Sequence, residues 1–497
     1  MERTAPAPRP EVRGRYPAAR RALIPAWDHG SVRRVRRRRR RRPDPFASYP
    51  GALGSPVRGD NPSVAKRNGY ALLAALAAVV VLVSTAIFVS AGGRASGGSD
   101  DSSRRPGEQQ GGAAPAVTGN WVGTWAASAA APEPNTLNGW TGMSIRNVVH
   151  TSIGGTAARV RLSNLFGTRP LVISHATIAL ASAPSSPTAE PGTMHRLTFS
   201  GRTTVRIPAG RHVVSDAARL TVPPTADLLV TTYSPSPSGP ATYHPTARQT
   251  SYVAKGDRAG DMAGTAYTGQ SPYWRYVTAV DVRNSEAQGA VVTLGDSITD
   301  GVTSTTGANR RWPDFLAQRL RDEQGAPYYG VLNEGISGNR ILVDGSGPSG
   351  LSRIDRDVLS HSGVRAVVIQ LGVNDILRLP HQLDADRIVE GLRQLTQKAH
   401  GRGLKVVGGT LMPFGGHRGF SERTEATRQQ VNAQIRAGGV FDAVVDFDEA
   451  LRDPSAPHRL LPEYDSGDHL HPSDEGYRAM AHALDLDMLK GSAPAKL

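Results

Sequence analysis

The chain has 497 residues, no cysteine and a formal charge of +15 at pH 7. That length holds two or three domains with cores of their own, and the missing cysteine excludes disulfide staples, thiol chemistry and Cys-type zinc sites. The charge suggests nucleic acid only until it is located: residues 1–69 hold 18 Lys and Arg against 5 Asp and Glu, leaving a net +2 for the rest.

Residues 1–69 form a tail rich in proline, alanine and arginine, with seven consecutive arginines, Arg36 to Arg42. No apolar periodicity could bury a face, so disorder is expected. An uncharged apolar run follows from Tyr70, and the segment 70–91 has the length that spans a bilayer core, about 20 residues at ~1.5 Å each. Arginines before it are held inside by the positive-inside rule, which reads the basic run as a retention and anionic-lipid patch rather than a nucleic-acid contact. Two readings of 70–91 stay open, an uncleaved anchor or a signal segment cut near Val89-Ser90-Ala91; a start near Val64 would favour the second. Either places the later residues outside the membrane. Residues 92–118, Gly, Ser, charge and proline, make a flexible linker.

Residues 119–285 show short alternating runs broken by Gly, Pro, Ser and Asp. Ala158 to Leu162, Thr204 to Ile207 and Arg219 to Val222 alternate with period two, and Asp227 to Tyr233 reads as a strand covered on both faces. Without a helical stripe of ten residues, this is an all-β domain, a sandwich or jelly roll. Trp121, Trp125, Trp140 and Trp274 fit packing in such a domain, with stacking on sugar as the competing use.

Residues 288–492 change texture. Ala290 to Leu294, Tyr329 to Asn333, Ala366 to Leu371, Lys405 to Gly409 and Ala443 to Phe447 read as buried parallel strands. Between and after them, Trp312 to Asp322, Ile354 to Leu359, Asp384 to His400, Glu422 to Ala437 and Glu475 to Leu489 carry apolar residues at helical spacing. Five such units make an α/β doubly wound parallel sheet, whose functional groups gather at the carboxyl ends of the strands.

The residues at those ends are Gly295-Asp296-Ser297, Asn333-Glu334-Gly335-Ile336-Ser337-Gly338-Asn339 and Gly372-Val373-Asn374-Asp375, with Asp468-His469-Leu470-His471-Pro472 before the last helix. Ser297 stands at a strand-to-helix turn, where a serine can be a nucleophile. His471 can take its proton and return it to a leaving alcohol, and Asp468, three residues earlier, can hold the other imidazole N–H. Asp296 and Asp300 read as braces of the turn, and Trp312, Arg340 and His469 as candidates to line the site.

In order and spacing these four stretches resemble the blocks of the SGNH or GDSL hydrolase family. The resemblance covers residues 290 to about 490, and Arg159 to Asn164 with Ser215-Asp216 look like the domain preceding the hydrolase in two-domain bacterial members. It implies a flavodoxin-like sheet, a carboxylic ester hydrolase without cofactor, and an oxyanion hole made by the backbone N–H groups of Ser297 and Gly338 with the side chain of Asn374. Implied substrates are acetylated sugars, aryl and short-chain esters, lysophospholipids and thioesters; an exported site beside a candidate sugar-binding sandwich leans toward acetylated polysaccharide.

Singly, each site residue has a plainer use: Ser297 and Asp468 as caps, Gly338 as a positive-φ turn, Asn374 as a turn residue. Their joint placement at successive strand ends favours catalysis. A lipase-type Gly-x-Ser-x-Gly elbow does not fit, since Thr299 stands where the second glycine belongs. A metal site on Asp296, Asp468, His469 and His471 is disfavoured because alternate residues of an extended loop point apart. An acyltransferase acting on surface glycan and a non-catalytic glycan-binding protein remain alternatives.

Overall fold

The computed structural model describes residues 120–491. The expected tail (1–69), membrane segment (70–91) and linker (92–118) lie outside the described residues. Among the described residues no helix is long and apolar enough to cross a membrane.

Alternation in the first part builds two antiparallel sheets face to face. One has four strands in the spatial order Trp121–Ala126, Val277–Arg283, Ala158–Ser163, His212–Val214, and the other six, in the order Gly269–Ser271, Ser251–Lys255, Met143–His150, Asp227–Ser234, His175–Leu180, His195–Arg196. Val122, Val160, Leu162, Val280 and Val282 from the first sheet meet Ile145, Val149, Ile178, Leu228 and Val230 from the second in one core. Two antiparallel sheets closed on one core make a β-sandwich. Asp227–Ser234 is central and nearly all buried, as a strand covered on both faces should be.

Arg219 to Val222 departs from expectation. It forms no strand, only isolated bridges at Ala218 and Val222. Pro223 and Pro224 follow directly, and without N–H groups they cannot extend a ladder.

The tryptophans serve packing. Trp125 and Trp274 are buried edge to face, with ring centroids 4.9 Å apart, and the Trp274 indole N–H donates to the Val148 carbonyl at 2.7 Å. Guanidinium groups cover the other two, Arg159 over Trp121 at 4.5 Å and Arg275 over Trp140 at 4.3 Å.

The second part begins with β1 (Gly289–Gly295), followed by β2 (Tyr329–Gly335), β3 (Val364–Gln370), β4 (Lys405–Gly409) and β5 (Ala443–Val445). All neighbours pair in parallel, in the order β2-β1-β3-β4-β5. That is the flavodoxin-like order, whose switch point lies between the carboxyl ends of β1 and β3. Helices α1 (Ser297–Asp300), α2 (Trp312–Asp322), α3 (Gly350–Asp357), α4 (Val373–Leu377), α5 (Ala385–His400), α6 (Glu422–Arg436), α7 (Phe447–Leu451) and α8 (Asp474–Ala483) connect and follow the strands.

Caps account for the shifted boundaries. The expected strand Ala443 to Phe447 stops at Val445 because Asp446 caps α7, accepting the Glu449 N–H at 3.0 Å. The expected helix from Ile354 begins at Gly350, where the Ser349 hydroxyl accepts the Ser352 N–H. The expected helix Glu475 to Leu489 is two: α8 ends at Ala483, and Asp485 caps a separate 3₁₀ turn, Leu486–Leu489.

The described residues fall within one compact unit, so the sandwich and the parallel sheet share an interface. Ser152 Oγ accepts from the Val331 N–H of β2 at 2.9 Å, and the Arg159 and Arg161 guanidinium groups reach the hydroxyls of Ser362 and Ser360 before β3.

Candidate active site

β1 is apolar and buried throughout, and it ends where Gly295 permits a turn too tight for a side chain: a Cβ there would collide with the Thr299 hydroxyl and the Gln370 carbonyl. The Asp296 carboxylate caps the turn by accepting the Ile298 N–H at 3.0 Å. Ser297 is thereby held as the first residue of α1. Trp312 braces the turn from behind, donating its indole N–H to Thr299 Oγ1 at 3.2 Å while fully buried against Phe447.

The loop before α8 brings the imidazole. His471 Nε2 lies 2.7 Å from Ser297 Oγ, and His471 Nδ1 lies 2.6 Å from Asp468 Oδ2. A carboxylate can only accept, so Nδ1 carries the proton and Nε2 is left to accept from the Ser297 hydroxyl. The other Asp468 oxygen accepts the N–H groups of Leu470 at 3.0 Å and His471 at 2.8 Å. Burial opposes ionisation of Asp468, but these donors and the imidazole outweigh it and hold the carboxyl below its usual range. The Ser473 hydroxyl caps α8 just beyond, and Ser466 N–H bonds back to the His471 carbonyl at 3.1 Å.

The loop after β2 supplies Gly338 with φ of 78°, a backbone state in which its missing Cβ leaves space taken by the Arg378 guanidinium. Among the described residues, neither the Ser297 nor the Gly338 backbone N–H has a protein acceptor. Asn374, on α4 at the end of β3, has its amide oriented on both sides: Oδ1 accepts from Arg378 Nε at 3.1 Å, and Nδ2 donates to Asp296 Oδ2 at 3.2 Å. One amide hydrogen remains for a ligand. Burial pushes the Asp296 carboxyl up to about 7, against the stabilising Ile298 and Asn374 donors. Asp375, raised by burial to about 6, accepts the N–H groups of Ile341 at 2.8 Å and Leu342 at 3.1 Å and pins the chain beyond Gly338.

The structure thus joins Ser297, His471 and Asp468 in one chain of contacts, links Asn374 to the same turn through Asp296, and packs Gly338 against the Arg378 that holds Asn374. Arg340 and His469 do not join them. The Arg340 guanidinium braces loops through the carbonyls of Leu379 and Asp344, and His469 points to Asp465 at 2.6 Å. Among the described residues no three His, Asp or Glu side chains are grouped to hold a metal ion.

Sequence reasoning missed Arg353. Fully buried, it donates to the Gly295 carbonyl at 2.9 Å, the Glu334 carbonyl at 2.7 Å and Asn339 Oδ1 at 3.0 Å, tying the first two sequence blocks together. Its charge is met by Asp357 at 3.1 Å. An arginine on a helix carries no local signal of such a role. Arg378 was equally silent, although it follows the third block by three residues.

Residues 293–479 match the family model of GDSL-like lipases and acylhydrolases. No curated protein matches the chain. Among solved structures, a carbohydrate acetylesterase from Sinorhizobium meliloti is 19% identical with a TM-score of 0.31, over 39% of this chain and 95% of that one. An aryl esterase from M. smegmatis is 21% identical with a TM-score of 0.30, over 39% and 95%. A GDSL-like lipase from Bacteroides thetaiotaomicron is 22% identical with a TM-score of 0.29, over 39% and 84%. The chain carries a GDSL-like hydrolase domain and is an enzyme of the ester-hydrolase class.

Proposed function

We propose that this protein is an exported serine esterase cleaving short-chain carboxylic esters, acetyl esters of polysaccharide among them, with Ser297, His471 and Asp468 as its triad. The observation that carries the reading is the continuous contact Ser297 Oγ, His471 Nε2 and Nδ1, Asp468 Oδ2, at 2.7 and 2.6 Å. Ser297 Oγ attacks the acyl carbon as His471 Nε2 takes its proton. The tetrahedral oxyanion is met by the N–H groups of Ser297 and Gly338 and by Asn374 Nδ2. The imidazolium returns its proton to the leaving alkoxide, and water, activated by the same nitrogen, releases the acid.

The groups around the oxyanion loop support a small acyl group on a polar alcohol: Arg378 and Ser346, whose side chains meet at 3.2 Å, and Thr246 beside Ser337, also at 3.2 Å. Export enters from the sequence alone, through the apolar segment 70–91.

The test is turnover by the full chain of p-nitrophenyl acetate, butyrate and laurate, and of acetylated xylan. Activity that falls with acyl length and disappears in Ser297→Ala is expected; an inactive wild type or an active Ser297→Ala variant defeats the reading. Added alcohol that diverts product from acid to new ester would make the enzyme a transferase.

A further inference from the structure

The strand Thr242–His244 is the middle of a small three-stranded sheet, between Ala131–Pro132 and Trp274–Arg275, in the β-rich first part of the chain, yet its last residue reaches the catalytic turn. His244 is fully buried, with Nδ1 2.9 Å from the Ser128 carbonyl and Nε2 2.9 Å from Asp300 Oδ1. The Ser128 carbonyl can only accept, and so can the Asp300 carboxylate when ionised, so both ring nitrogens donate and the ring is an imidazolium. Arg311 opposes that charge and Asp300 balances it.

Asp300 ends α1, three residues after Ser297. Its second oxygen, Oδ2, accepts the Ser337 backbone N–H at 3.0 Å and the Ser337 hydroxyl at 2.5 Å. Among the described residues, His244 and Ser337 are the hydrogen-bond partners of this carboxylate. Thr246, two residues beyond His244, meets the same Ser337 hydroxyl at 3.2 Å. Ser337 immediately precedes Gly338, so holding its N–H and side chain holds the Cα from which the peptide unit carrying the Gly338 N–H departs.

We propose that His244 is a positioning residue of the oxyanion hole, acting through Asp300 on Ser337 and so on the Gly338 N–H. The β-rich first part of the chain then supplies contacts that support the active site from behind. This rests on the esterase reading above. Without the imidazolium, Asp300 is a buried carboxylate short of a charge partner. It would turn toward other donors or take a proton, and in either case loosen Ser337. Displacing a donor by a fraction of an ångström weakens the transition state more than the bound ester, because the ester oxygen is not yet charged.

The experiment compares full-length wild type with His244→Gln, Ser337→Ala, the double variant, and Arg159→Ala, which severs a sandwich contact to Ser362 remote from Asp300. Glutamine is chosen over alanine because a cavity of about 210 Å³ lined by Trp125, Trp274 and Arg311 adjoins the pair and would let water replace a lost ring. His244→Gln should lower kcat about 10- to 100-fold with KM within about threefold, Arg159→Ala should leave kcat within about twofold, and the double variant should be little worse than the poorer single. Affinity for a boronic acid that forms the tetrahedral adduct should fall in step with kcat. A His244→Gln kcat within twofold of wild type, or single effects that multiply in the double, overturns the proposal. If His244→Gln fails to fold, Ser337→Ala on the hydrolase side decides alone: unchanged kcat overturns it. Amide exchange reads the link without turnover. Ser337 N–H should lose protection in His244→Gln and keep it in Arg159→Ala, and retained protection in both overturns the proposal even if an inactive wild type has already removed the esterase reading.

Discussion

Two histidine–aspartate pairs flank the nucleophile turn, built from the same groups at nearly the same distance, in opposite surroundings. His471 and Asp468 sit at the surface, their side chains 14% and 45% exposed, while His244 and Asp300 are 4% and 3% exposed. The first imidazole gives one nitrogen to a carboxylate and the other to a hydroxyl that can donate, so it can gain and lose a proton. The second is bonded on both sides to pure acceptors and is held charged. Burial lowers the pKa of His244, but Asp300 and the Ser128 carbonyl outweigh it and raise it above the usual histidine value. A histidine works as a base where one face stays negotiable, and as a structural cation where neither does.

The sharpest way to break this contrast is to remove each imidazole. His471→Ala should cut kcat about 10⁴-fold or more, with unfolding free energy within ~1 kcal/mol of wild type because the pair is exposed. His244→Ala should instead destabilise the fold by about 3 to 5 kcal/mol, the cost of leaving a buried carboxylate alone. Urea unfolding and steady-state kinetics on both variants check this; equal stability losses would erase the distinction.

A smaller effect tests the hole the two pairs enclose. Asn374→Ala removes one oxyanion donor and should lower kcat about 10²- to 10³-fold with little change in KM. Arg378→Met leaves the donor but releases Asn374 Oδ1, so it should cost about tenfold by letting the amide turn. Parallel progress curves on p-nitrophenyl acetate rank the two; a larger loss in Arg378→Met would make the guanidinium itself the oxyanion's partner.

The same contrast explains what the sequence displays. The surface pair was legible because both members share one loop at i and i+3 before a helix, in a block whose residue types have a chemical use. The parallel sheet was legible because strands covered by helices read as apolar runs: β1 and β4 fall almost where those runs lie. His244 gave no signal, since Thr-Tyr-His-Pro-Thr is an ordinary loop sequence and its partner lies 56 residues away. Trp312, a candidate to line the site, is fully buried behind the turn, and its position in the sequence could not say which side of the turn the ring takes. The run Arg219 to Val222 alternated well enough for a strand, but two prolines beyond it ended the ladder.

The last expected effect, on stability alone, concerns a third acid, Asp296, which belongs to neither pair. Burial raises its carboxyl to about 7, from an ordinary value near 3.8. The folded state therefore keeps a proton that the unfolded chain loses, and stability from this group falls as pH rises through the window from about 4 to 7. It is undiminished below that window and at its lowest above it. The full swing is at most about 4 kcal/mol. Asp375, raised to about 6, pulls the same way over a narrower range. Asp296→Asn should remove the larger share, so the variant's unfolding free energy relative to wild type should climb between pH 4 and 7 and level off by pH 8. Urea titrations at four pH values measure it. A difference that is flat across the window would mean that Asp296 ionises at its ordinary value. Its bond to the Asn374 amide would then be a charged one that orients the oxyanion hole at every pH at which the enzyme works.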